Sequence, residues 1–466
     1  MILTIPITTS ATETKQQIIE KVISAYGGKA ITSMNSLVVH DKYKMIRPDG
    51  GIRPGLDAVT RLNSILTIAF ESGKKSVKNW RVNAVGKRLG QIIFDGNNGW
   101  SINYLRGSHV LRPDLNHNNV GVGMMRLLDT TVVRSLISDL DTVKFHGKNK
   151  LFGREHYQLS FKMNGLSDVT IDVDSITGLI SQLALKNGTH YVYSDYRKTD
   201  RITYAADTNQ FSSGKVVTVT LSREIDANPE ISKAFDLPKS TKALEGMQDN
   251  SKMVVKQLGN GVYLAGLGNR SSLFVDAGDY FVAVGSLPGF KERLASVNNE
   301  LGTDKSVKYV VISEHQGHMS GVKEIAALGV SFVANESHLP IIKKQIKAPI
   351  SNERFVLVED KLDLANGKVH VYDISTVTSE HFLLFYVPAL RLAYSMDEFG
   401  TNLLNSVPSP DKRMISFRSA IEALNVKIER FAYVHGTGIL SLEQLRQVTD
   451  SYKDVECPVG EDVCGD

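Results

Sequence analysis

The chain is 466 residues long, more than one core accommodates and enough for two domains. Lys+Arg 54 against Asp+Glu 50 leaves a net charge of +4, which gives no ground for a nucleic-acid or polyanion partner. With 42% hydrophobic and 22% charged residues the composition is ordinary for a globular protein, and no apolar run approaches the ~18–20 residues that span a bilayer.

The opening "MILTIPITTSATETKQQ" is apolar, then small, then charged, like the end of a secretory signal without its basic start. An ordinary N-terminus and a trimmed signal both fit. "ETKQQIIEKVISAYGG" places Ile18, Ile19, Val22 and Ile23 at helical spacing and stops at Gly27-Gly28. Alternating stretches follow, among them "SLVVHDKYKMI", "QIIFDGNNGWSINYL", "HYQLSFKM" and "VVTVTLSREI", with hairpin chemistry at Asp95-Gly96-Asn97-Asn98-Gly99 and Asn187-Gly188. One further helix is predicted in "LLDTTVVRSLISDL". Residues 1–240 therefore read as a curved antiparallel β-sheet or half-barrel with a helix. His40, His109, His117, His146, His156 and His190 are scattered through it, and none forms a ligand-spaced pair. A curved sheet of this kind can hold an apolar ligand in its concavity.

"AYGGKAITSMNSLVV", "DGNNGW", "IDVDSITGLI", "YSDYRK" and "REIDANPEISKAFDLP" resemble the curved-sheet domains of the bacterial lipoprotein-carrier type. The resemblance spreads over residues 20–238 and carries no catalytic chemistry. It implies a bacterial protein in a periplasmic or secreted setting.

The polar, proline-containing "PKSTKALEGMQDNSKM" marks a boundary. Over residues 250–450 apolar strands such as "GVYLAGL", "KYVVISEH", "FLLFYVP" and "RFAYVHGTG" mix with helical segments such as "LPGFKERLASVNNELG" and "MISFRSAIEALNV", which predicts sheets covered by helices. Residues 451–466 form a tail with the only two cysteines, Cys457 and Cys464. The tail offers no further zinc ligands, so the alternatives are free thiols or a small disulfide loop suited to an exported protein.

Polar residues follow several of these apolar strands. His315 and His318 come after "KYVVIS", Asp397 after "RLAYSM", and His435 after "ERFAYV". Strand ends fix where such side chains originate, so the four can meet at one sheet edge, and imidazole with carboxylate suits zinc, iron or manganese. Taken singly, each is as well explained as a helix cap or a loop hydrogen bond.

In order and spacing, "GNGVYLAGLGNRSSLFVDAGDYFVAVGSLPG", "KYVVISEHQGHMSGVKEIAALGVSFVANESH", "TVTSEHFLLFYVPALRLAYSMDEF" and "RFAYVHGTG" resemble the metallo-β-lactamase superfamily over nearly all of residues 254–450. The resemblance implies an αββα sandwich, making the whole chain a two-domain α+β protein. It also implies a dinuclear zinc site, which this sequence matches only in part. The family signature His-x-His-x-Asp-His falls on Ser313-Glu314-His315-Gln316-Gly317-His318, and a third histidine position falls on Thr378. Ser313, Gly317 and Thr378 thus replace ligands, while His315, His318, Asp397 and His435 match. The first metal position keeps only His315 and Asp397; the second keeps His318, Asp397 and His435.

Three readings follow. In the first, a mononuclear hydrolase binds one divalent metal through His318, Asp397 and His435. Metal-activated water then attacks an ester, amide, lactone or β-lactam-like bond. His315 is a fourth ligand or acid/base group, and Glu314, Glu380 and His381 are candidate substitutes for the lost ligands. In the second, the same residues hold iron for redox chemistry. In the third, no metal binds and the chain is an inactive binding or accessory protein for an apolar or lipid-like ligand.

Overall fold

The computed structural model describes residues 13–163, 167–199, 201–249, 251–458 and 462–464; most of the signal-like start, residues 1–12, lies outside them. The protein is β-rich, with one 14-stranded, one seven-stranded and one six-stranded sheet and a few helices.

The 14-stranded sheet is two antiparallel meanders joined at its centre, where the strand Ser36–Arg47 pairs with Lys215–Ala227, with the short strand Lys242–Ala243 added in parallel at one edge. Its strands alternate between buried and accessible positions, as expected of a sheet with one face on a core. That core is filled by the chain's own helices. Lys15–Ala25, begun by a reciprocal cap between Thr14 and Gln17, contributes Ile18, Ile19 and Val22, and Asp129–Ser138 contributes Val132, Val133 and Leu136. The concavity is therefore occupied over this stretch by protein.

Two fully buried polar clusters tie this unit together. Arg223 donates to Asp41 at 3.0 Å and to the Ala205 carbonyl, and both side chains are 0% exposed. Asp129 accepts from the Tyr26 hydroxyl at 2.8 Å and the Ala205 amide at 2.9 Å.

From Val254 onward the chain forms a sandwich. The inner face of the seven-stranded sheet, with Val262, Leu264 and Leu273, shares a core with the six-stranded sheet; the outer face, with Tyr263 and Phe274, packs on the helices Phe290–Leu301 and Leu339–Ile346. On the other side the helix Lys412–Ala423 sets Phe417 against Phe382 and Phe431. The layers run helix, sheet, sheet, helix. Strands such as Val262–Gly266 and Phe382–Val387 are buried at every position, which is why they read as unbroken apolar runs. The tail closes on itself through a Cys457–Cys464 disulfide, and Val463 packs beside Trp80 and Leu89 of the large sheet.

Candidate functional site

Three strand ends deliver His318, Asp397 and His435 to one point, with one ligand-capable atom from each lying within 4.8 Å of the others. His318 sits in the turn after the strand Ser306–Val311. Asp397 follows Leu392–Tyr394 and is aimed by Met396, whose φ of 48° bends the chain in the left-handed region that a side chain ordinarily avoids. His435 follows Arg430–Ala432 and precedes Gly436, where a Cβ would fall 2.8 Å from the Tyr433 ring and 2.9 Å from Gln248 Oε1. Only glycine fits beside His435.

The ring orientations are set from behind. His318 Nδ1 donates to Glu314 Oε1 at 2.8 Å, and His435 Nδ1 donates to the Asn269 carbonyl at 2.9 Å. A carboxylate and a carbonyl only accept, so both protons belong on Nδ1 and both Nε2 lone pairs point forward. The Nε2 atoms are 3.3 Å apart, and Asp397 reaches them with separate oxygens, Oδ2 at 3.2 Å from His318 and Oδ1 at 3.3 Å from His435. Such a set needs a cation at its centre, either a metal ion or a proton on His318. Ligands held tetrahedrally at ~2.0–2.1 Å from zinc stand about 3.3–3.4 Å apart, a spacing the two Nε2 atoms match, and one carboxylate oxygen lies within 4.8 Å of both, so the donor types and their convergence fit a metal. Burial works against protonating His318, but the hydrogen bond to Glu314 and the charge of Asp397 outweigh it and raise its pKa.

The other expected residues lie elsewhere. His315 Nε2 donates to the Gly51 carbonyl at 3.1 Å, its ring stands 5.1 Å from that of His338, and it is not a member of the three-residue group. Glu314 supports His318 from behind, in place of acting as a substitute ligand. His381 turns to Asp373 at 2.8 Å and to Asn335, and Glu380 is exposed, its amide bonded to the Ile52 carbonyl. Neither joins the group. Gly317 is exposed, with open space where a side chain would begin.

Ser313 and Thr378, expected from the resemblance to stand at replaced ligand positions, are not members of the three-residue group. Ser313 is buried, with no hydrogen bond from its hydroxyl among the described residues. Thr378 donates to Glu398, a fully buried carboxyl whose pKa burial pushes up to about 8. Gln316 donates to the carbonyls of Gly51 and Thr378 and accepts from Arg47. Residues 47–52 of the large sheet's first hairpin thus tie down His315, Gln316 and Glu380. Sequence reasoning missed Glu398, although it adjoins Asp397 in "SMDEF". It also missed His338, whose pKa burial, with His315 and His381 nearby, lowers to about 3.

Side-chain exposure rises from 13% at His318 to 33% at Asp397 and 40% at His435, so the group opens in one direction. It opens into a cavity of ≈ 670 Å³ between the sandwich and the large sheet, lined by Asp397, His435 and Arg413 on one side and by Asn79, Arg81 and Arg88 on the other. Arg413 stands 4.0 Å from Asp397 and is held by Asp411 at 3.1 Å.

No protein-family model matches the chain, and no curated protein matches it. Solved structures do. A metallo-beta-lactamase from Pontibacter korlensis is 15% identical over 43% of this chain and 98% of its own, with a TM-score of 0.33. The metallo-beta-lactamase FIM-1 from Pseudomonas aeruginosa, in its mono-zinc form, is 12% identical over 44% of this chain and 96% of its own, at 0.34. A third, from Hirschia baltica, is 14% identical over 42% and 95%, at 0.33.

Proposed function

We propose that the protein is a metallo-β-lactamase-type, metal-dependent hydrolase carrying one divalent ion on His318, Asp397 and His435. The observation that carries this is the convergence of His318, Asp397 and His435, with one donor atom from each within 4.8 Å of the others and both histidine Nδ1 atoms already engaged, facing a cavity. Zinc is the expected ion, with iron and manganese as the alternatives; when bound it would supply a Lewis acid and an activated water. The chain's own residues do the rest. Glu314 and Asn269 hold the two imidazoles in the correct tautomer, and Arg413 lies close enough to Asp397 to steady its carboxylate. The reading assigns an ester, amide or lactone-type bond to the cavity. The first metal position is read as closed, its residues taken up by Glu398 and residues 47–52.

Metal content by plasma mass spectrometry tests it, on protein dialysed against trace zinc, manganese and iron. About one equivalent is expected, and none in a His318→Ala, His435→Ala variant. No metal above that control would end the hydrolase reading and leave the inactive binding protein in its place. The setting is read as periplasmic or secreted, supported by the Cys457–Cys464 disulfide. Thiol labelling of rapidly quenched native cells should find both cysteines blocked; two reactive thiols would count against export.

A further inference from the structure

The cavity wall opposite the three-residue group carries more cationic charge than the protein neutralises. Arg81 on the strand Lys74–Asn83 and Arg88 on Gly86–Phe94 are direct cross-strand partners, an arrangement in which like charges repel. Both line the cavity, and neither guanidinium group has a hydrogen bond or ion pair among the described residues. Other arginines on the same wall are satisfied: Arg112 by Asp114, and Arg106 by the Val407 carbonyl and the Ser406 hydroxyl. The cavity's two carboxylates are also committed, Asp411 to Arg413 and Asp397 to the histidines. The Arg81 and Arg88 side chains are exposed to the cavity and solvent; partial burial still lowers the pKa of Arg81, and Arg88, Arg47 and Arg413 lower it further, with Tyr43 acting the other way. Among the described residues, these two guanidinium groups, each a planar fork of donors, have no carboxylate paired with them and line the cavity.

We propose that this cavity takes a small substrate bearing an oxyacid group, a carboxylate or a phosphate, held by Arg81 and Arg88 opposite His318, Asp397 and His435. The proposal rests on the hydrolase reading for the word substrate, but the anion site itself needs no metal. It names the part of the substrate that binds, leaving the bond cleaved to the three-residue group. The binding groups come from the large sheet and the reaction centre from the sandwich, so the site is complete only where the two meet. At ≈ 670 Å³ the space suits a small molecule.

Calorimetric titration of the full-length, chelator-treated protein with inorganic phosphate, and separately with acetate, tests the proposal. Three proteins are compared: the unaltered chain, Arg81→Gln with Arg88→Gln, and His318→Ala with His435→Ala. Saturable binding of at least one anion is expected, weakened by ~10-fold or more in the arginine variant and retained in the histidine variant. Preference for phosphate identifies a phosphorylated substrate, and preference for acetate a carboxylic acid. Equal binding by the unaltered and arginine-substituted proteins, or no binding of either anion by the unaltered protein, would overturn the proposal. Because the arginines oppose one another on the sheet, the arginine variant should melt no lower than the unaltered chain, which separates lost binding from lost structure. Anion binding without metal uptake would sink the hydrolase reading alone.

Discussion

Lys75 and Arg81 lie on the same face of one strand, and their different surroundings make a sharp prediction. Arg81 overlooks the cavity, while Lys75 is 0% exposed and, among the described residues, its ammonium has the Met125 sulfur at 3.0 Å as its partner. Burial lowers its pKa from 10.5 to about 8. A difference of about 2.5 pKa units corresponds to ~3 kcal/mol against the folded state wherever the lysine is charged in both states. Below pH 8 the full penalty applies. Between pH 8 and 10.5 the unfolded chain binds more protons than the folded one, so stability rises with pH, and above 10.5 the penalty is gone. Lys75→Met removes the charge at nearly constant shape and should stabilise the protein by about 3 kcal/mol at pH 7, with the gain shrinking across pH 8 to 10.5. Both tryptophans, Trp80 and Trp100, lie in the large sheet, so their fluorescence in urea melts reports on this unit. A neutral or destabilising effect at pH 7, or a gain that persists unchanged at pH 10.5, would refute the reasoning.

Glu314→Gln removes the negative charge that holds His318 from behind, and metal affinity should fall ~10–100-fold in a competition titration against a chelator while the melting temperature changes little. An unchanged affinity would mean that Glu314 does not support a ligand. Asp41→Asn strips the counter-charge from a fully buried arginine and should cost about 3–5 kcal/mol in the same tryptophan-monitored melts. A loss under 1 kcal/mol would show that Arg223 is carried by its neutral partners, Ala205 and Thr208.

Some of this architecture was legible in the residues themselves. Strands buried on both faces must be apolar throughout, so Val262–Gly266 and Phe382–Val387 stand out as runs, and the sheet covering one core stands out by alternation. His318, Asp397 and His435 could be singled out because each follows such a strand, and a strand end leaves little freedom in where the next side chain starts. The fates of their neighbours were not legible. His315 is three residues from His318, yet it is turned away by the carbonyl of Gly51, which lies 264 positions distant. Thr378 is occupied by Glu398, and Gln316 by Arg47. The pairing of Arg81 with Arg88 is local and could have been read from a hairpin register, but its meaning could not. Two opposed arginines read as a solvated surface feature; they remain exposed in the structure, but the sandwich set across from them makes them one wall of a cavity. Local pattern determined the strands and where the polar groups begin; what those groups face was decided by long-range contacts, because hydrogen-bond partners and counter-charges depend on distance in space, which sequence spacing does not encode.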